Sequence, residues 1–376
     1  MKNNKEIPDF FIKNFISTDN WYCQLKNRIT NLNKISRFIE LTLEEKRGLL
    51  HTKFNFAIPE YLIGLMDSSS SNCPIRKQFI PTIDEIKITP EELNYSNIQK
   101  ETSLKEENST NKIPFGLIHN YLDRAILLLT DQCAAYCRFC SSKNFVGKNN
   151  WTLTHGEFGL VVRYLKAHPE IRQVILSGGD PLVLSDEKLN FFLSNLKKIQ
   201  HISIIRIETR IPVVLPHRIT HKLCEILKKY SPIYISILFN HPKEINDYTK
   251  YVCNMLVDSG VVLLSNTVLL KGINDKAQIL SELFYELLKI RVRPYNLFQC
   301  DIVEGTSHFR TSFSCGMRLI KQLRSSLSGL AVPNFIIKVP NHGKIPISPQ
   351  CFISKTKDSV ILKDLEEKVV VYPETK

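Results

Sequence analysis

No stretch of this 376-residue chain stays apolar for more than a handful of positions, well short of the ~20 that a helix needs to cross a bilayer. Missing too is a leader of the secretory kind: the chain begins Met1-Lys-Asn-Asn-Lys-Glu6, and no apolar run follows. Both absences point away from membrane and secretion, so a cytoplasmic protein is expected. Its ten cysteines then read as reduced thiols, some of them ligands, rather than as a disulfide framework. Acidic residues are outnumbered, 37 against 50 Lys and Arg, leaving a net charge of +13. What this excess lacks is clustering. Pairs such as Lys197-Lys198 and Lys228-Lys229 lie scattered on polar helix faces, without the interleaved aromatics of a nucleic-acid track. Nucleic acid is therefore not an expected partner, while an acidic protein partner stays open. A hydrophobic fraction of 43% supports a full core, and the length suits two domains or one large α/β domain with an extension.

What is present is concentrated in Cys133-Ala-Ala-Tyr-Cys137-Arg-Phe-Cys140. The motif follows an apolar, strand-like run, Ala125 to Thr130, so it occupies a loop leaving a buried strand. Three thiolates in so short a loop can fold over one inorganic centre. Three is one fewer than a closed structural zinc site or a fully protein-ligated four-iron cluster requires. A cluster held this way keeps one iron open and is a reaction site. The bland alternative is three buried, inert thiols.

From Asp123 onward, strand-like runs alternate with amphipathic helices. The strands are Ala125–Thr130, Gln173–Leu176, Ile202–Ile207, Ile233–Phe239, Val261–Leu264 and Val292–Phe298. Helical spacing joins Phe158, Val161, Val162 and Leu165, and repeats at Leu189, Phe192, Leu193 and Leu196 and at Leu280, Leu283, Phe284 and Leu287. Such alternation predicts a parallel sheet with helices outside, an α/β fold of the partial (β/α)6 barrel type. Nearly every strand ends in polar side chains: Ser177-Gly-Gly-Asp180, Glu208-Thr-Arg210, Asn240-His241, Asn266-Thr267 and Gln299-Cys-Asp301. In barrels those ends carry the active site. Ahead of the barrel, residues 1–66 read as helical, with a capping-box pattern at Thr42 to Glu45 and Pro59 opening a further helix. The segment 81–112 reads as a polar connection on the surface. The expected units are 1–112, 113–315 and 316–376.

The cysteine spacing resembles the cluster motif of radical S-adenosylmethionine enzymes, and Gly178-Gly179-Asp180 resembles the segment of those enzymes that binds the methionyl amino group. Within that superfamily the chain resembles the lysine 2,3-aminomutase family from about Ile118 to Tyr372. The resemblance rests on Tyr121-Leu-Asp-Arg124, Ile175-Leu-Ser-Gly-Gly-Asp-Pro181, Arg210-Ile-Pro-Val-Val-Leu-Pro216 and Phe239-Asn-His-Pro242. It continues through Thr267 to Asp275, Arg291 to Tyr295, His308-Phe-Arg-Thr311 and Gly343-Lys-Ile-Pro346. The resemblance implies a [4Fe-4S] cluster on Cys133, Cys137 and Cys140, and S-adenosyl-L-methionine against Gly178, Gly179 and Asp180, with Phe139 beside its adenine. It also implies pyridoxal 5'-phosphate, with Lys344 as the Schiff-base lysine and Arg124 near the phosphate. The implied reaction is an isomerisation: a 5'-deoxyadenosyl radical takes a hydrogen from the β-carbon of an amino acid, the amino group migrates from Cα to Cβ, and the hydrogen returns. The electron would come from a reductant such as flavodoxin or ferredoxin.

Departures from the family bear on the substrate. The family's lysine enzymes hold the distal ammonium with two aspartates; Asp301 matches the first, whereas Lys338 falls at the second. Ser142 falls where the family has an arginine for the α-carboxylate, with Lys143 as a candidate substitute. Asn120 replaces another arginine and Leu238 a histidine. The substrate is thus lysine in an altered pose or a related amino acid, such as one ending in a carboxylate or amide. Two further readings stay open: an enzyme making β-lysine for attachment to translation factor P, and a cluster-binding protein without turnover. The sequence ends before the cysteine-bearing tail of longer members, which leaves a homo-oligomer built on tail contacts in question. The other cysteines, Cys23, Cys73, Cys224, Cys253, Cys300, Cys315 and Cys351, read as plain thiols.

Overall fold

The computed structural model describes residues 21–95, 113–339, 342–347, 352–364 and 367–375. Its frame is one nine-stranded sheet in chain order: β1 (Leu117–Tyr121), β2 (Arg124–Thr130), β3 (Gln173–Gly178), β4 (Ile204–Thr209), β5 (Ile233–Leu238), β6 (Val262–Leu269), β7 (Arg293–Gln299), β8 (Asn334–Val339) and β9 (Gly343–Pro346). Strands β2 to β8 run parallel. β1 and β9 turn back antiparallel at the two edges. Those edges meet, because the Tyr121 hydroxyl accepts the Lys344 N–H at 2.8 Å. The sheet is therefore curled into a nearly closed barrel. All six expected strands are present; β8 adds a seventh parallel strand, and β1 and β9 supply the seam.

The barrel helices form where the 3.6-residue spacing puts them. Thr154 and Glu157 make a reciprocal capping box at the start of His155–Ala167, which buries Phe158, Val161 and Leu165. Ser185 caps Asp186–Leu196, which buries Leu189, Phe192, Leu193 and Leu196. Ala277–Lys289 does the same with Leu280, Leu283, Phe284 and Leu287. Each such side chain contributes about 1.5–3 kcal/mol. The strands show two different faces. On β4, Ile205 and Ile207 are fully buried, whereas Arg206 and Glu208 on the other face are only partly so. A barrel with polar residues on its inner face is built to receive a ligand rather than to be filled by its own side chains.

Residues 1–20 and the polar run 105–110 lie outside the described residues. From Trp21 the N-terminal region is a set of short helices, Trp21–Lys26, Leu32–Ile35, Leu43–His51, Glu60–Ile63 and Pro74–Phe79. The Thr42–Glu45 capping box forms, and Pro59 occupies the N-cap of its helix. The expected surface connection departs from expectation over 81–95. Glu85, Glu92 and Tyr95 are all buried, and the Glu92 carboxylate accepts the amides of Thr306 and Ser307 at 2.9 and 2.7 Å. Polar composition reads as surface when the partners lie more than 200 positions away. At the other end β10 (Phe352–Lys355), β11 (Ser359–Lys363) and β12 (Val369–Pro373) form a small antiparallel sheet. One apolar core runs from Ile29 to Tyr372.

Candidate active site

β2 delivers the chain into the cysteine loop, where Cys133, Cys137 and Cys140 are all partly exposed. The loop is braced from below by the end of β3. Gly178 has φ +121°, and a Cβ on either Gly178 or Gly179 would strike the carbonyl of Thr130 or Gln132. The Gly179 amide donates to Thr130 O at 2.6 Å and the Asp180 amide to Gln132 O at 2.8 Å. The close approach these glycines permit is to the segment just ahead of Cys133. The Asp180 carboxylate is buried and turned to the protein. It accepts the Thr209 hydroxyl at 2.7 and 2.9 Å, the Arg210 amide at 2.8 Å and the Leu182 amide at 3.0 Å. Burial raises its pKa, against the pull of those donors.

From the other side the N-terminal region grips the loop. Arg138, fully buried between two of the cysteines, donates to Glu85 at 2.5 and 2.9 Å, to Asn55 O at 2.8 Å and to the Thr52 hydroxyl at 3.1 Å. Lys143 is buried too, donating to Glu85 at 3.0 Å and Gly305 O at 3.2 Å. Its ammonium is committed to this ion pair, which removes it as a substitute for the family's carboxylate-binding arginine. Burial pushes the Glu85 carboxyl up, and Arg138 and Lys143 together bring it below its ordinary value. Ser142 closes the loop with its backbone, its amide donating to Cys140 Sγ at 3.3 Å. Phe139 packs with Leu270, Ile273, Cys300 and Phe309.

Burial raises the Cys133 thiol well above its ordinary value, and Asp180, Cys140 and Cys137 push it further. Burial likewise takes Cys140 up to about 11. In this sheltered loop, bound iron cations would favour the thiolate form of the sulfurs. Among the described residues no three His, Cys, Asp or Glu are arranged to hold a single metal ion. Three cysteines are one fewer than a closed four-ligand site uses, a donor set that suits a cluster with one open iron.

The barrel interior holds the second set. Lys344 Nζ lies 3.9 Å from Glu208 on β4 and 5.2 Å from the Phe298 ring centroid on β7. Gly343 has φ +71°, and a Cβ there would run into the Tyr121 hydroxyl. The Arg124 guanidinium lies over the Tyr121 ring, 4.1 Å from its centroid, and 3.6 Å from Asp123. Asp131 is occupied elsewhere, accepting the amides of Asn149 and Trp151. Tyr121 thus joins Arg124 to Lys344 across the seam, the two standing near the starts of their respective strands. Lys338 is the cross-strand neighbour of Lys344, and its Nζ sits 3.7 Å from Asp301. Burial raises the Asp301 carboxyl, with Lys338 and then Lys344 pulling against it. The sequence places Glu208 at an active-site strand end and Tyr121 in a family motif, without a specific role for either. The available signals were the Arg206/Glu208 alternation at a strand end and the position of Tyr121 in the Tyr121–Arg124 motif. Cys73, Cys224, Cys253 and Cys300 are buried, Cys23 and Cys315 are more exposed, none of these six forms a disulfide, and Cys351 is outside the described residues. No helix among the described residues is long and apolar enough to cross a membrane.

Comparison with known proteins agrees with this geometry. The Radical SAM superfamily model matches residues 127–283, and the Lysine-2,3-aminomutase model matches 320–376. The L-lysine 2,3-aminomutase of Fusobacterium nucleatum is 41% identical over 95% of this chain and 82% of its own length. That of Clostridium subterminale is 40% identical over 95% and 84%. The glutamate 2,3-aminomutase of Clostridioides difficile is 39% identical over 94% and 82%. Similarity of that extent, spanning the cysteine loop, the barrel and the strand of Lys344, makes this chain a member of the lysine 2,3-aminomutase family of radical S-adenosylmethionine enzymes, an isomerase of the 2,3-aminomutase kind.

Proposed function

We propose that this chain moves the α-amino group of lysine or a related polar amino acid to the β-carbon, with pyridoxal 5'-phosphate on Lys344 and a [4Fe-4S] cluster on Cys133, Cys137 and Cys140. The observation that carries the reading is the Lys344 amine, inside the barrel and facing a carboxylate, on a backbone that donates to Tyr121, whose ring lies under Arg124. When bound, S-adenosylmethionine and the cluster supply a hydrogen-abstracting radical, and pyridoxal phosphate supplies an electron sink for the migrating nitrogen. Arg124 offers its planar fork to a phosphate dianion. Glu208, 3.9 Å from Lys344 Nζ, is placed to accept a proton from that amine as it becomes a nucleophile. Gly178 and Gly179 fix the strap beneath the cysteine loop where the methionyl group would lie, and Phe139 forms an apolar wall for its adenine. The barrel wall excludes water and oxygen from the radical. A one-electron donor of the flavodoxin or ferredoxin class completes the system.

Asp301 and Lys338 meet the side chain of the substrate. Facing each other, they carry no net charge and present one acceptor beside one donor. That pairing disfavours a bare ammonium and favours a side chain ending in an uncharged donor–acceptor group, such as an amide. Ser142, at the loop's edge, offers a hydroxyl for the α-carboxylate. The test is anaerobic turnover of reconstituted protein with S-adenosylmethionine, pyridoxal phosphate and a reductant, offered lysine, glutamate, glutamine and the other common amino acids singly. A β-amino acid from an amide substrate supports the whole reading. β-Lysine as the sole product would retain the aminomutase and overturn the role given to Lys338. Full cluster content with neither rearrangement nor 5'-deoxyadenosine would overturn the function.

A further inference from the structure

Beside the cysteine loop, and outside both cofactor sets, one side chain touches a cluster sulfur. The Arg210 guanidinium donates to Cys137 Sγ at 2.8 Å. It is buried. Its other terminal nitrogen donates to Gln78 at 2.5 Å and to Glu244 at 3.1 Å. The rings of Phe79 and Phe139 cover it, 4.6 and 5.3 Å from the guanidinium carbon. The partners are themselves fixed: Gln78 donates to Glu244 at 2.8 Å and accepts from Asn240 at 2.9 Å, and the Asn240 amide donates to the second Glu244 oxygen at 2.8 Å. Gln78 also carries the loop directly, its carbonyl accepting the Arg138 amide at 2.8 Å.

We infer that Arg210 sets the reduction potential of the cluster, with Glu244 as its counterweight, and so acts on the reaction through Cys137 rather than on substrate. Cluster potentials follow net charge, hydrogen bonds to sulfur and exclusion of solvent. Arg210 supplies the first two, and the two rings supply the third. The other sulfur contact described, from the Ser142 amide to Cys140, is neutral and longer, so the charged one dominates. In the couple concerned, one electron enters the cluster from an external reductant, with no bond made or broken and no proton required. A positive charge at Cys137 favours the reduced, more negative cluster; the Glu244 carboxylate offsets part of that.

This rests on the three-cysteine cluster proposed above, and the experiment separates the two. Wild type, Arg210→Met, Arg210→Lys and Glu244→Gln would be reconstituted, assayed for iron and sulfide, and titrated by EPR without S-adenosylmethionine. The expected result is equal iron content with midpoints moving in opposite directions: lower for Arg210→Met, higher for Glu244→Gln, and close to wild type for Arg210→Lys. A residue that only braced the loop would change iron content or stability and leave the midpoints together, which would overturn the inference. If Arg210→Met does not take up iron, Glu244→Gln against wild type decides by the same sign. Absence of a four-iron signal in wild type would instead bring down the cluster reading.

Discussion

Gly343 shows how much one backbone conformation carries. At φ +71° an L side chain costs about 1–2 kcal/mol, and here the Cβ would also displace the Tyr121 hydroxyl that holds Lys344. Gly343→Ala is expected to keep its iron but bind pyridoxal phosphate at least about tenfold more weakly, ~1.4 kcal/mol, as read from cofactor absorbance. Unchanged binding would mean that the seam does not position Lys344. Lys338 is the second case. Removing it as Lys338→Ala leaves Asp301 without its neutralising neighbour, so kcat/KM for lysine is expected to rise about tenfold, while an amide substrate loses ground. Gly343 was legible because the short motif Gly343-Lys-Ile-Pro346 marks it, and Lys338 through its place in the family resemblance. The fate of the Asp180 carboxylate was not, since its donors Thr209 and Arg210 lie about 30 positions downstream and reach it only through the β3–β4 pairing.

At the scale of elements, the alternation of strands and helices was readable because each barrel helix buries one stripe and each strand one full face. The edges were harder. β1 and β9 are short and carry polar residues, and what marks them is their meeting at Tyr121, a contact between parts of the chain 223 positions apart. The bracket around the cysteine loop was illegible for the same reason: Glu85, in a polar stretch, is buried between Arg138 and Lys143. Replacing it as Glu85→Gln leaves two buried cations short of their counter-charge, a loss of about 3–5 kcal/mol. The variant is expected to unfold at markedly lower urea and to lose iron faster than wild type under the same chelator. If its urea midpoint matches wild type, the bracket is not what holds the loop.

The molecule as a whole carries a built-in acid sensitivity that no single element explains. His217, His241 and His308 sit in three separate places, and burial lowers each to about 4. His217 packs among the rings of Tyr61 and Tyr248. The His241 ring nitrogen accepts the Lys243 amide, which requires it unprotonated there, and His308 lies against Phe309. In the unfolded chain these imidazoles titrate near ~6.5. Between that value and about 4 the unfolded chain takes up protons that the native state refuses, so stability is complete above about pH 6.5 and falls as pH drops through the window. The slope is at most about 1.4 kcal/mol per pH unit for each histidine, and less where water still reaches the ring. Urea midpoints are therefore expected to decline between pH 7 and pH 5. His308→Gln, which removes one of the three, should flatten that decline by about a third of its slope. A variant whose midpoint falls as steeply as wild type would show that the proton uptake lies with other groups.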